Sequence, residues 1–109
     1  MSRSEQELLR EALVHFELML EHAHGDVTDQ LVVDAVCMRL SAGVEVLNRL
    51  EPSVRDDMFG DSWPLMWGMR NRIAHGYLLV EPTIIRQTLA TDIPAILAQI
   101  HRTLSEGLS

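Results

Sequence analysis

At 109 residues, 47% hydrophobic and 23% charged, the chain has the length of one domain and an ordinary globular composition, with little surplus for a second core. Sixteen Asp plus Glu against nine basic residues give a formal charge of −7, which excludes a broad cationic grip on nucleic acid. No apolar run approaches the roughly 18 residues a membrane span needs, and the single cysteine, Cys37, excludes an internal disulfide and a thiolate metal cluster within one chain.

The segment MSRSEQELLREAL turns charged and amphipathic at once and lacks the apolar stretch of a secretory signal, so a cytoplasmic protein is expected. Ser4 followed by Glu7 reads as a capping box, and Leu9, Leu13, Phe16, Leu20 and Ala23 recur at helical intervals, predicting a first helix to about His24 that Gly25 closes. Asp26 or Thr28 would cap a second helix with Val33, Val36, Leu40, Gly43 or Val44, Leu47 and Leu50 on one face, ending near Glu51-Pro52. Ser53 to Asp61 suits a connection or a short helical turn.

Asp61 or Ser62 would cap a third helix, with Pro64 in its first turn, Leu65, Met66, Met69 and Ile73 as apolar positions, and Gly76 as its end. Pro82 opens a fourth helix through Ile84, Ile85 and Leu89. Thr91 or Asp92 before Pro94 restarts the chain as a fifth segment to about Leu104, lined by Ile96, Leu97, Ile100 and Leu104. No alternating strand pattern, internal repeat or low-complexity linker occurs, so the expected fold is all-α, an antiparallel bundle of four to five helices forming one domain over residues 1–109.

The third predicted helix ends in Arg70-Asn71-Arg72-Ile73-Ala74-His75-Gly76-Tyr77, which places arginine, histidine and tyrosine at the close of an apolar run. Core packing does not ask for those residues. The spacing of Arg70, His75 and Tyr77 resembles the signature of the HEPN superfamily, and MRNRIAHGY resembles its HepT-type toxin branch. The likeness extends from about Val32 to Ile100. It takes in DAVCMRLSAGVEVL, with Arg39, Glu45 and, where family members more often carry alanine, Val46. It continues through WPLMWGMRNRIAHGY, with Trp63 and the Gly68-Met69-Arg70-Asn71 run, and TDIPAIL, with Asp92 and Pro94. The resemblance implies an up-and-down HEPN-like bundle that forms a homodimer, with the motifs of two protomers facing one cleft. It also implies metal-independent RNA cleavage with no cofactor. A further implication is a nucleotidyltransferase antitoxin of the MNT type that silences the toxin by attaching AMP to Tyr77.

RNA cleavage through the 2′-hydroxyl needs a base, an acid and positive charge over the phosphate. His75 suits the proton transfers, and Arg70 can donate two parallel hydrogen bonds to phosphate oxygens. A single histidine fills one role at a time, so a dimer with two His75 side chains across a cleft supplies both, and paired Arg70 and Arg72 make a local basic patch on an acidic molecule. Positions five apart are rotated by about 140° on a helix, whereas positions four apart share a face, so Asn71 is the natural neighbour of His75. Asn71 is expected to orient the imidazole or the phosphate. Glu45, on a mostly apolar helix, is expected to hold Arg70 or His75, with a plain solvated glutamate as the alternative.

Simpler readings stay open for each residue. His75 also fits a hydrogen-bonded structural histidine. Arg70 and Arg72 also fit pairing with Glu81 or Asp61, or with the negative end of the helix dipole. Tyr77 also fits a half-buried aromatic with a wet hydroxyl. His22 and His24 point apart and face water, His15 and His101 are isolated, and no metal site is expected. Trp63 and Trp67 are expected in the core or the dimer seam, and Met19, Met38, Met58, Met66 and Met69 as core filler. Acidity keeps a second function in view: a catalytically silent helical module that binds a nucleotidyltransferase. A nucleotide-binding accessory domain would need a phosphate-cradling glycine-rich loop that the chain lacks.

Overall fold

A computed structural model describes residues 2–26, 28–76 and 81–107. Among these the fold is all-helical: α1 (Arg3–His22), α2 (Gln30–Asn48), α3 (Pro52–Phe59), α4 (Ser62–Gly76), α5 (Pro82–Gln87), a π turn (Thr88–Asp92) and α6 (Ile93–Gly107). No helix among the described residues is long and apolar enough to cross a membrane.

The first helix starts half a turn earlier than expected, because the same S-x-x-E spacing also occurs two residues upstream. Ser2 is the N-cap, accepting from the Glu5 backbone N–H at 3.2 Å, while the Glu5 carboxylate accepts from the Ser2 N–H at 3.2 Å. Glu7 instead pairs with Arg3 on the exposed face at 3.4 Å. Asp26 does not cap α2 but holds Thr28 through its backbone N–H (2.9 Å) and hydroxyl (2.7 Å). Asp29 caps the helix, accepting from Leu31 N–H at 2.9 Å.

The two long helices form the central layer and run antiparallel. Glu11 of α1 meets Arg49 of α2, His15 meets Arg39, and Phe16 lies against Gly43. Leu9, Ala12, Leu13, Phe16 and Met19 of α1 bury against Val33, Val36, Cys37, Leu40, Val44 and Leu47 of α2, following the four-and-three spacing that predicts them. Burial pushes the Cys37 thiol up to about 11, with the Asp34 carboxylate adding to the rise. Met38 is a correction to the core-filler reading: it stands 70% exposed, on the outer face of α2.

The stretch after Pro52 is an eight-residue helix, α3, rather than an irregular connection. It buries no residue fully, which is why apolar periodicity does not announce it. Gly60, at φ +52°, takes the left-handed conformation that turns the chain into α4. In α4, Trp63, Met66 and Ile73 enter the core, whereas Leu65 is 76% exposed.

The expected break before Pro94 is absent. Gln87, Thr88 and Ile93 are all right-handed helical, so α5 runs through the π turn into α6 without interruption. Pro94 has no N–H and its ring crowds the carbonyl four residues back. Widening the preceding turn, with Ile93 N–H donating to the Thr88 carbonyl five residues earlier, absorbs that conflict inside the helix. The buried Thr88 hydroxyl donates to the Ile84 carbonyl at 2.9 Å. Ile93, Ile96, Ile100 and Leu104 of α6 complete the core.

Two glycines make opposite demands. A Cβ at Gly43 would meet the fully buried Phe16 ring at 2.6 to 3.0 Å, whereas one at Gly68 would meet nothing within 4 Å. In urea unfolding, Gly68→Ala should therefore stabilise by about 0.5–1 kcal/mol through helix propensity. Gly43→Ala should destabilise by about 1–3 kcal/mol through overpacking, and equal effects of one sign would contradict the α1–α2 contact.

Candidate functional site

Arg70 occupies the third turn of α4, on the flank that faces α2, while Ile73 three residues on enters the core. Its side chain is 23% exposed, so a guanidinium charge has been drawn largely out of water and needs compensation. Three groups supply it. Glu45 on α2 accepts a charge-assisted hydrogen bond and ion pair from Arg70 Nη2, Asn71 Oδ1 accepts from Nη1 at 3.1 Å, and the Trp67 ring lies 5.0 Å below the guanidinium carbon. Arg70 Nε is buried and finds no acceptor among the described residues.

The Trp67 support is itself supported. Trp67 stacks on the buried Trp63 one turn earlier, at 5.9 Å between ring centroids and 24° between planes, and Arg55 of α3 lies 4.7 Å over Trp63. An aromatic column along α4 thus ends on Arg70. Both tryptophans pack within the chain, as expected, although Trp67 remains only partly covered. The sequence reading missed the contact of Trp67 with Arg70, although their spacing of three on one helix was a signal for it.

Of the two partners offered to Glu45, the structure selects Arg70. Asn71 turns its carbonyl oxygen toward Arg70, and no hydrogen bond or ion pair among the described residues joins Asn71 or Arg70 to His75. His75 is exposed on the last turn of α4, as are Arg72 and Ala74, so the imidazole faces solvent while the guanidinium is clamped on the neighbouring flank. The pairing of Arg70 with Glu81 or Asp61 does not occur. Tyr77 lies outside the described residues.

His15 is not isolated: its Nδ1 lies 3.2 Å from Arg39 Nη1, across α1 and α2. That contact links residues 24 apart in sequence, beyond the reach of helical spacing. His22 and His24 sit at and beyond the end of α1, and no group of three or more His, Cys, Asp or Glu side chains among the described residues could hold a metal ion.

A bundle that clamps one arginine beside an exposed histidine is consistent with several families. The deciding observation is a family model described as Ribonuclease HepT-like, which matches residues 9–103. The chain belongs to the HepT-like family. The match takes in all of α2, α3, α4 and α5 and most of α1 and α6, so it includes Glu45, Arg70, Asn71 and His75. No curated protein and no solved structure matches the chain. HepT-like membership places the protein in the HEPN superfamily and implies a ribonuclease-type role in general. Within the matched region α4 carries a clamped guanidinium at Arg70 and an exposed imidazole at His75.

Proposed function

We propose that this chain is the toxin of a type VII HEPN/MNT toxin–antitoxin system. In this reading it is a metal-independent endoribonuclease acting at an Arg70/His75 site to which two copies contribute, and a partner MNT-type nucleotidyltransferase silences it by attaching AMP to Tyr77. The observation that carries the reading is the Arg70 guanidinium, clamped by Glu45, Asn71 and Trp67 and followed on the same helix by the exposed His75.

One imidazole takes the proton of a ribose 2′-hydroxyl, and the 2′-oxygen attacks phosphorus. The P–O5′ bond breaks, and a protonated imidazole gives its proton to the departing 5′-oxygen, leaving a 2′,3′-cyclic phosphate and a 5′-hydroxyl end. Arg70 faces the charge that builds on the phosphate oxygens, with its orientation fixed beforehand. Each His75 serves one role at a time, so a second copy supplies the other. The open face of α4 supports such an approach: Gly68, Arg72, Ala74 and His75 are all exposed, and Gly68 leaves space that its own chain does not fill. Arg72 adds attraction for the phosphate backbone.

In the silencing step the Tyr77 phenolic oxygen, losing its proton, attacks the α-phosphorus of ATP, and pyrophosphate leaves. The new phosphodiester puts a negative charge two residues from His75, where it competes with RNA for the same cations. The formal charge of −7 favours the second reading, a silent module that only binds the nucleotidyltransferase.

Incubating the purified protein with total RNA separates the two. Cleavage to cyclic-phosphate ends is expected, falling at least about 100-fold in His75→Ala and Arg70→Ala and about 10-fold in Glu45→Gln. Equal cleavage by the wild type and His75→Ala would reject the ribonuclease. With the nucleotidyltransferase encoded beside it and ATP, intact mass should rise by whole adenylyl units that Tyr77→Phe abolishes. Additions that persist in Tyr77→Phe would place the modified residue elsewhere.

A further inference from the structure

A shallow depression of about 410 Å³ opens between α1, α2 and α4, lined by the polar side chains of His15, Glu45, Asn48 and Arg49 and walled by Trp67. Two of those residues, Glu45 and Trp67, are among the three that hold Arg70, so the depression shares its wall with the clamped guanidinium. Each of the four polar groups is anchored from outside the depression. Arg39 fixes His15 (3.2 Å), Arg55 donates to Asn48 Oδ1 (3.2 Å), Glu11 pairs with Arg49 (2.9 Å), and Arg70 pairs with Glu45. These contacts bias the orientation of the four side chains before any ligand arrives, which favours selective recognition.

The anchors also decide what the depression offers. A guanidinium only donates, so His15 Nδ1 accepts from Arg39 and the ring's N–H is on Nε2. Asn48 uses its oxygen on Arg55, which leaves its amide N–H groups to give. Arg49, 58% exposed, adds further N–H groups beyond the one bound by Glu11. The half-exposed Glu45 carboxylate adds one acceptor to these donors, and the depression is of a size for one nucleoside.

We infer that this depression is a subsite for the nucleotide next to the scissile phosphate and that His15 and Asn48 read its base, favouring bases that present carbonyl oxygens over adenine. Uracil presents two carbonyl oxygens on either side of one N–H, which matches two donors flanking a carboxylate, whereas the same edge of adenine presents one ring-nitrogen acceptor beside an amino donor and so meets one of these donors fewer. The inference rests on the ribonuclease reading for its place in a reaction, yet the preference itself is a matter of binding.

The test uses the full chain and two single-stranded 2′-O-methyl oligomers, all-uridine and all-adenosine, which bind but offer no 2′-hydroxyl to react. Fluorescence anisotropy should show the uridine oligomer bound about 5- to 10-fold more tightly, the equivalent of one or two hydrogen bonds. The His15→Ala/Asn48→Ala double variant should erase that difference. Asn48→Ala alone, a change at an exposed side chain, should reduce it while the thermal melt stays that of the wild type. Equal affinities in the wild type, or a preference intact in the double variant, overturn the subsite. Cleavage without base preference would sink the subsite and leave the ribonuclease, whereas a preference dependent on His15 and Asn48 in a protein that cuts no RNA would do the reverse.

Discussion

The contact between Glu45 and Arg70 is the constraint from which the rest of the site follows. It joins the central helix α2 to α4, and it does so with a guanidinium that is mostly withdrawn from water. A charge in that position is costly unless its donors are met, so the geometry around it is steep rather than soft. Asn71 and Trp67 reinforce the same orientation from α4 itself, and the aromatic column through Trp63 carries the support back into the core. Arg70 is thereby a fixed cation rather than a mobile one, which is what phosphate chemistry asks of it. Glu45, still half-exposed, is the partner at which solvent reaches the clamp.

Clamping one group has a consequence for the other. On a helix, residues 70 and 75 diverge, so the same register that turns Arg70 toward α2 turns His75 to solvent. A monomer therefore sets the clamped guanidinium and the exposed imidazole on two flanks of α4. In the proposed dimer, two such edges converge and the separation becomes useful, because attack and departure occur on opposite sides of a phosphate. With an acidic composition and no lysine, the cationic groups of α4 are Arg70 and Arg72 alone.

Much of the bundle was legible from residues alone. The buried faces of α1, α2 and α6 follow apolar spacing that only a helix satisfies, and Pro82 marks its helix start because its ring fits a first turn. What escaped was physical in kind. The Ser2 and Ser4 frames offer the same capping chemistry two residues apart, and spacing alone does not choose between them. α3 buries no residue fully and only leans Met58 and Phe59 on the core, so periodicity left a short helical turn and a connection equally open. Pro94 reads as a stop, yet a π turn absorbs it. Met38 is apolar on the outer face of α2, where composition gives no warning.

The site divides in the same way. The sequence singled out Arg70, Asn71 and His75 through spacing and family likeness, yet the expected pairing of Asn71 with His75 gives way to one with Arg70, and Glu45, read as a partner of Arg70 or His75 or as a solvated carboxylate, meets Arg70. The anchors of His15, Asn48 and Arg49 join residues 24, seven and 38 positions apart, and only the packed bundle brings them together. The most direct measurement of the central claim is side-chain NMR of the arginine guanidinium groups in the wild type and Glu45→Gln. A clamped Arg70 should show separate Nη1 and Nη2 resonances from hindered rotation, merging in Glu45→Gln, while exposed Arg72 gives one averaged signal in both. A single averaged signal for Arg70 in the wild type would contradict the account.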